Sequence, residues 1–332
     1  MAKSVITLGE IMMRLSVPAN GRFTQATTFQ AVYGGSEANV SVALSNFGIP
    51  AGHVTRLPSN DLGKSVVQHL RKYNVNTDHI VFGDERLGLY FLENGSMQRP
   101  PRIIYDRFHS AFSFIKPGQI DWNAVMNDAS WFHWTGITPA ISQGAADVCK
   151  EAIEAANKHG VTVSGDINYR RNLWQYGKDA RDIMPSLIRG THYMIAGISD
   201  IENCLGIKGN DYASVCKEVI NKNPQIKNIS FTHRDTISAS HNKIHGVLFD
   251  GSTLLSSKEY DLTHIVDRVG AGDAFMAGLI YGWLKRYDDQ KTLEFASASC
   301  ALKHSIEGDV NLATVEEVET LIKGENTGKL LR

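Results

Sequence analysis

The sequence predicts an α/β protein with a central, mostly parallel β-sheet, helices on both faces of that sheet, and a small β lid. From about residue 120 onward, short apolar strand-like segments alternate with helical patterns, which is typical of a parallel sheet. Two β-prone stretches, about 11–33 and 87–108, interrupt this alternation. We expect these two stretches to pair as the lid of a single domain spanning residues 1–332.

The first 110 residues contain the segments that we assign to the edge of the sheet and to the lid. Apolar residues recur through 36–47, and Gly48 marks the end of that helix. The pair Asn94-Gly95 favours a hairpin between the strand-like segments on either side. The predicted elements are strands at 4–9 and 53–57, helices at 36–47 and 61–73, and the lid strands.

The rest of the chain supplies most of the predicted sheet and its covering helices. Strands are predicted at 131–135, 161–166, 193–195 and 228–233, with a hairpin through 238–255. Helices are predicted at 143–159, about 178–189, 212–221, 272–287, 291–305 and 314–323.

Composition excludes several classes of function. The 332 residues are 42% hydrophobic, and 35 acidic against 34 basic residues give a net charge of −1, so nothing points to nucleic-acid binding. No segment approaches the ~18 apolar residues of a membrane helix, and the start of the chain does not resemble a signal peptide. The four cysteines are far apart and lack metal-ligand spacing. We therefore expect a soluble cytoplasmic protein with reduced thiols.

The run from 266 to 278 carries the strongest functional signal. A glycine turn leads into a helix there, which leaves the N–H groups of Gly270, Ala271 and Gly272 free to face an anion. Asp273 follows in the first helical turn. An acid at this position would be unfavourable if the turn served only to bind phosphate, because like charges repel. The combination suits phosphoryl transfer, in which the turn neutralises the phosphoryl group and the carboxylate takes a proton from the attacking hydroxyl.

Two common glycine motifs do not explain this run. A dinucleotide fingerprint needs a third glycine where this chain has Phe275. The chain's Gly63-Lys64-Ser65 triplet is preceded by Pro58 where a P-loop needs glycine. The alternative left open is a structural glycine turn followed by an N-cap aspartate.

Two motifs together resemble a known family. Gly34-Gly35-Ser36-Glu37-Ala38-Asn39 and the 267–278 run resemble the two signatures of the ribokinase-like (PfkB) carbohydrate kinases, in the same order and at a similar separation. The resemblance covers essentially the whole chain and implies a ribokinase-like fold and an ATP-dependent sugar kinase.

The resemblance assigns roles to the residues of both motifs. It implies that Asp273 is the catalytic base and that Gly270, Ala271 and Gly272 form the anion hole. It also implies that Gly34, Gly35 and Asn39 hold sugar hydroxyls. The implied cofactors are ATP and Mg²⁺, and a requirement for a monovalent cation stays open. The alternative for Gly34-Gly35 is a plain turn before a helix.

Within the family, the chain most resembles 2-keto-3-deoxygluconate kinases. Their substrate is a sugar acid, which calls for an arginine that binds its carboxylate. Tyr90, Tyr105 and Arg107 lie on the expected lid strands, and Asn168 and Arg170 follow a strand in an Asp-x-Asn-x-Arg segment like that of these kinases. The resemblance implies that these five side chains bind substrate. Alternatively, the lid residues are solvated side chains over an apolar patch.

The nucleotide and metal sites are less clearly marked. We expect Thr232 and Arg234, at the end of a strand, to reach phosphates. We also expect Ala298 and His304 to line the adenine side, although small residues equally allow helices to pack. Many family members carry Asn-x-x-Glu for magnesium, where this chain has Gly197 and Asp200. Asp200 and Glu202 are therefore the remaining metal candidates.

These assignments lead to one main hypothesis and two alternatives. The main hypothesis is ATP-dependent phosphorylation of 2-keto-3-deoxygluconate to its 6-phosphate, with no membrane partner. One alternative is a kinase of a neutral ketose such as fructose or tagatose, and the other is a sugar or nucleotide sensor without catalysis. Because lid strands have exposed edges, we also expect a homodimer formed through the lid.

Overall fold

Strands and helices alternate along residues 3–325, which are the residues that this computed structural model describes. The strands are β1 (Ser4–Leu8), β2 (Met12–Ser16), β3 (Gln30–Gly34), β4 (Ala51–Val54), β5 (Arg56–Pro58), β6 (Val81–Gly83), β7 (Leu89–Glu93), β8 (Arg102–Asp106), β9 (Ala129–Thr135), β10 (Thr162–Asp166), β11 (Tyr193–Ile195), β12 (Asn228–Thr236), β13 (Asn242–Phe249), β14 (Leu254–Ser256) and β15 (Tyr260–Leu262). The helices are α1 (Ser36–Asn46), α2 (Asp61–Lys72), α3 (Trp122–Asn127), α4 (Ile137–Ile141), α5 (Gln143–Lys158), α6 (Ala180–Ile188), α7 (Ile198–Leu205), α8 (Tyr212–Lys222), α9 (Ala271–Leu284), α10 (Asp289–Lys303) and α11 (Val315–Lys323). Short 3-10 helices cover Phe23–Gln25, Ala111–Phe114 and Arg171–Leu173.

The main sheet confirms the predicted parallel architecture. Its strand order is β14-β13-β12-β11-β10-β9-β1-β4, and β15 also pairs with β13. The six strands from β4 to β12 in that order are parallel, whereas β13, β14 and β15 form antiparallel pairs at one edge. The carboxyl ends of the parallel strands therefore meet at one edge of the sheet, which is where α/β proteins place ligands.

Apolar cores lie on both faces of this sheet. Successive residues of β9 point to opposite faces, so Phe132 and Trp134 join one core while Trp131 joins the other. Helix α5 packs on the first face, and α1, α9 and α10 pack on the second. Because both faces are covered, the central strands are almost continuously buried.

The two β-prone stretches form the predicted lid. They pair as a separate four-stranded sheet in the order β3-β2-β7-β8, in which only β2 and β7 run parallel. All five residues of β8 are exposed, including Ile103, Ile104 and Tyr105. Because side chains alternate along a strand, Ile103 and Tyr105 lie on one face of the lid and Ile104 lies on the other.

Several local predictions need correction. The hairpin between β7 and β8 exists, but Glu93 pairs with Arg102, so Asn94-Gly95 begins a longer connection instead of forming a two-residue turn. The segment after Ile195 becomes helix α7, which the sequence pattern did not indicate because it is only eight residues long. Among residues 3–325, no helix is long and apolar enough to cross a membrane.

Candidate active site

A cavity of about 390 Å³ lies between the lid and the carboxyl ends of the main-sheet strands. Residues from the lid, the start of α1, the end of β10 and the start of α9 line it together. The sequence-predicted residues that it brings together are Gly34, Gly35, Asn39, Tyr90, Tyr105, Arg107, Asn168, Arg170, Arg234, Gly270, Ala271, Gly272 and Asp273.

The glycine turn before α9 needs a left-handed backbone. Gly270 caps the helix with a φ of 82°, and a Cβ at this position would lie 1.8 Å from the carbonyl oxygen of Asp309. Only glycine fits both conditions. The N–H of Ala271 donates to Arg268 at 3.3 Å, whereas Gly272 is exposed, with nothing within 4 Å of a Cβ placed there. Of the three N–H groups expected to be free, that of Ala271 is thus used within the turn, whereas those of Gly270 and Gly272 have no hydrogen-bond partner among the described residues.

Asp273 lies where the first turns of α1 and α9 meet. Its carboxylate accepts hydrogen bonds from Ser36 Oγ at 2.5 Å and from Asn39 Nδ2 at 2.7 Å. Burial raises its pKa from 3.8 to about 6, although these two hydrogen bonds act in the opposite direction. At neutral pH the group is therefore mostly ionised and well matched to accept a proton.

The glycine pair 34–35 has a packing role that the sequence did not reveal. A Cβ on Gly35 would lie 2.1 Å from the Glu10 carbonyl oxygen, and one on Gly34 would lie 1.9 Å from a carboxylate oxygen of Asp309. Asn39 is 3% exposed and uses its amide on Asp273. These residues therefore shape the base's surroundings as well as lining the cavity.

A buried ionic group under the turn was not anticipated. Arg14 donates to Asp267 at 2.6 Å and to Asp309 at 2.7 Å, and Tyr90 on the lid donates its hydroxyl to Asp309. Burial lowers the pKa of Arg14, but the two carboxylates outweigh burial and hold the pKa above its ordinary value. Nothing in the sequence around Asp309 indicated this role.

The two arginines that were expected to bind a carboxylate differ in their surroundings. Arg107 is 5% exposed and donates from Nε and Nη2 to one oxygen of Glu10, at 2.9 and 2.5 Å. Ser110 donates to the other oxygen of Glu10. Arg170 is exposed and donates only to the carbonyl of Tyr169, at 3.3 Å, among the described residues. Arg170 therefore has the more available positive charge.

Tyr105 of the lid and Asn168 after β10 also line the cavity. Tyr105 is directly opposite Tyr90 in the lid ladder, and their ring centroids are 5.9 Å apart. Asn168 has a positive φ of 37° just beyond the end of β10. A left-handed backbone at a cavity edge is a common feature of ligand sites, and asparagine tolerates it better than most residues.

Only one of the predicted nucleotide-binding side chains lines the cavity. Arg234 does so together with Arg268, but Thr232 does not. Ala298 is fully buried in α10, and His304 is 2% exposed with its Nδ1 at 2.8 Å from the Cys300 carbonyl. Ala298 belongs to the packing of α10, where small residues let helices approach closely, and His304 caps the end of that helix. Their expected place at the adenine side stays a prediction.

The metal candidates Asp200 and Glu202 lie outside the cavity lining. Asp200 accepts from the backbone N–H of Gly197 at 2.9 Å and of Tyr169 at 3.1 Å, so its carboxylate caps α7. Glu202 pairs with Lys208 at 3.7 Å. Within residues 3–325, no cluster of three or more His, Cys, Asp or Glu side chains could hold a metal ion.

Comparisons with known proteins show which family the chain is similar to. Residues 2–313 match the model of the pfkB family carbohydrate kinases. A 2-dehydro-3-deoxygalactonokinase from Haloferax volcanii is 30% identical over 328 residues, which cover 99% of each chain. The crystal structure of a 2-dehydro-3-deoxygluconokinase from Thermotoga maritima is 42% identical, with a TM-score of 0.93 over 97% of this chain and 100% of that one. The crystal structure of a PfkB family carbohydrate kinase from Listeria grayi is 34% identical, with a TM-score of 0.92 over 97% of this chain and 100% of that one.

Proposed function

This chain belongs to the pfkB family of carbohydrate kinases, and we propose that it transfers the γ-phosphoryl group of ATP to 2-keto-3-deoxygluconate, also called 2-dehydro-3-deoxygluconate. The observation that carries the proposal is the position of Asp273, a carboxylate beside a glycine turn, in a cavity that an available arginine also lines. The similarity to a 2-dehydro-3-deoxygluconokinase at 42% identity supports the same substrate class. The product would be the 6-phosphate.

The chemistry assigned to the chain is proton transfer and charge stabilisation. Asp273 takes the proton of the sugar's primary hydroxyl as that oxygen attacks the γ-phosphorus and the bond to ADP breaks. The N–H groups at the start of α9 compensate the charge on the phosphoryl oxygens. The lid covers the cavity, excludes water and so limits wasteful hydrolysis of ATP.

The lining residues fit ATP with Mg²⁺. Arg234 and Arg268 supply positive charge for the phosphates. Mg²⁺ commonly binds one or two carboxylates together with substrate phosphates and, when bound, neutralises phosphate charge. Among the lining carboxylates, Asp166 is available for this role, because Asp273 is the base and Asp309 is held by Arg14. Burial and the neighbouring charges of Asp200 and Asp273 raise the pKa of Asp166, and a bound cation would relieve this repulsion.

Recognition of the sugar's carboxylate rests on Arg170. Its guanidinium is exposed at the cavity, whereas the charge of Arg107 is already matched by Glu10. Arg107 contributes to the wall and positions the lid. Beside the two arginines assigned to the phosphates, Arg170 supplies a positive charge for an acid, and the same site with Arg170 unused would suit a neutral ketose. A relative named for the galactonate-derived acid makes the C4 epimer a further candidate substrate.

The proposal is tested first with an ADP-release assay that uses Mg-ATP. The sugars are 2-keto-3-deoxygluconate, its galactonate-derived epimer, fructose and tagatose, with a control that contains no sugar. Turnover on one or both acids, with little on the ketoses, supports the proposal. Turnover on fructose or tagatose alone would replace it by a ketose kinase. ATP binding without turnover on any sugar would favour the sensor.

The base is tested with the variant Asp273→Asn, which keeps size and polarity but removes the proton acceptor. We expect kcat to fall on the order of a hundredfold or more, with an unchanged fold. Asp61→Asn is the matched control, because Asp61 is an exposed acid in the first turn of α2. Near-normal kcat in Asp273→Asn would remove the assignment.

The proposed enzyme works as one domain with its lid, and as a dimer. The outer lid strand β8 has an unpaired edge and exposes 52% of Ile104 on the side away from the cavity, and we propose that a second copy covers this edge. The four cysteines are free and buried, as is usual for enzymes of the reducing cytoplasm. Sedimentation of the wild type beside Ile104→Lys tests the dimer, since a charge at this position should produce monomers.

A further inference from the structure

Lys303 is a fully buried lysine with no part in the proposed chemistry. It is the last residue of α10, and its side chain is 0% exposed. Its Nζ donates to the backbone carbonyl of Ile306 at 2.9 Å and to that of Asp267 at 3.4 Å. A buried lysine is rare unless its charge has a specific partner, so this placement calls for an explanation.

The two carbonyls belong to the two segments that build the anion hole. Asp267 precedes the glycine turn, and its carboxylate also accepts from the N–H of Val269 at 3.0 Å and of Gly308 at 3.1 Å. Gly270, in turn, packs directly on the carbonyl of Asp309. Lys303 therefore links the 267–270 segment to the 306–309 segment through these two hydrogen bonds.

The charges of this group balance only when the lysine is included. Arg14 and Lys303 carry two positive charges, and Asp267 and Asp309 carry two negative charges, all of them buried. Removing the ammonium would leave a net negative charge beneath the turn that must receive anionic phosphates. Such a change weakens an anion site, since buried charges interact strongly.

Converging backbone carbonyls beside carboxylates are the ligands that a potassium or ammonium ion would use. In this chain the Nζ of Lys303 already contacts those carbonyls, so the residues do not fit a separate monovalent cation. We propose that Lys303 is a positioning residue whose ammonium acts as a built-in monovalent cation, holding the anion hole in shape and making the kinase independent of added potassium. This inference rests on the proposed kinase function.

The first experiment uses the unmodified enzyme. Turnover is measured in potassium, ammonium and tetramethylammonium chloride at a constant ionic strength of about 0.1 M. We expect the three rates to agree within about twofold, because no site for a small cation is left open. Turnover that depends on potassium would overturn the inference and leave the proposed function intact. Lack of turnover in all three salts would count against the proposed function instead.

The second experiment removes the ammonium group of Lys303 by substitution. Lys303→Ala should lose kcat on the order of a hundredfold in tetramethylammonium, with little change in the sugar KM, because the turn is displaced from the reacting atoms. Potassium or ammonium should restore at least part of this loss. Lys303→Met, which fills the same space without charge, should not be restored. Lys291→Ala is the control, since Lys291 is exposed on the same helix.

Thermal stability can be measured without turnover, so it tests the role of Lys303 separately from the proposed kinase function. In the absence of sugar and nucleotide, potassium should raise the melting temperature of Lys303→Ala above its value in tetramethylammonium, and should not do so for the wild type or Lys303→Met. Absence of this shift together with absence of kinetic rescue would overturn the inference and leave Lys303 a purely structural residue. Should Lys303→Ala not fold in either salt, the salt series on the wild type decides.

Discussion

Ser36 offers a precise test of how the base is tuned. Its hydroxyl donates to Asp273 at 2.5 Å and so stabilises the ionised carboxylate. Burial acts in the opposite direction, and the result is a pKa of about 6. Ser36→Ala removes the hydrogen bond and leaves the base in place. We therefore expect the variant to need a higher pH than the wild type for the same activity.

The size of the effect follows from the geometry. A hydrogen bond to a charged group contributes about 1.5–3 kcal/mol, and water at the half-buried carboxylate should replace part of it, leaving about 1.4 kcal/mol, or roughly one pKa unit. The pKa would then move from about 6 to roughly 7. At pH 6 half of the wild-type base is ionised but only about a tenth of the variant's, so the variant should be roughly fivefold slower there and nearly equal near pH 9.

The assay is kcat/KM for the sugar from about pH 5 to 9 at saturating Mg-ATP, because this parameter reports the ionisations of the enzyme before the sugar binds. Titration of the nucleotide phosphate is common to both enzymes and cancels in their ratio. Ser45→Ala is the control, being a partly buried serine on the same helix. A uniform loss at every pH, or a wild-type profile without an acid limb near pH 6, would refute the reasoning.

Two pairs of substitutions separate ligand binding from fold stability. Arg170→Ala should raise the KM for acidic sugars on the order of tenfold and leave the melting temperature unchanged. Arg107→Ala should instead destabilise the fold by about 3 kcal/mol, because it leaves Glu10 buried without its partner. Kinetics on acidic and neutral sugars, together with thermal melts, check both variants, and equal effects of Arg170→Ala on the two sugar types would contradict carboxylate binding by Arg170. Gly270→Ala should lower both kcat and stability, with at least about 1–2 kcal/mol coming from the left-handed backbone alone, while Gly272→Ala should melt like the wild type; an unchanged melting temperature in Gly270→Ala would show that the turn can relax.

The parts of the site that the sequence predicted are those set by neighbouring residues. The glycine turn and Asp273 lie together in the first turn of one helix, so their relative placement follows from local geometry alone. The lid could be predicted because its strands break the alternation of the rest of the chain. Asn168 and Arg170 could be placed at the cavity because they directly follow the end of a parallel strand.

The parts that could not be predicted depend on contacts between distant segments. Glu10 and Arg107 are 97 positions apart, and Arg14 and Asp309 are 295 apart, so no local pattern pairs them. Ala298 was expected at the adenine side, and that role stays a prediction; α10 is buried nearly all round, and its small residues meet α9 closely. A Cβ on Gly278 of α9, for example, would lie 2.6 Å from a backbone atom of Ala296.

The parallel pairing of β2 with β7 has a consequence for how the chain folds. The segment between these strands contains β3, α1, β4 and α2, most of which belongs to the main body. The lid is therefore a product of long-range closure and cannot assemble from a local hairpin alone, which makes it slow to form. We expect a newly made chain to reach a native-like core before it has a closed pocket, and a heated chain to lose that pocket before it loses its core.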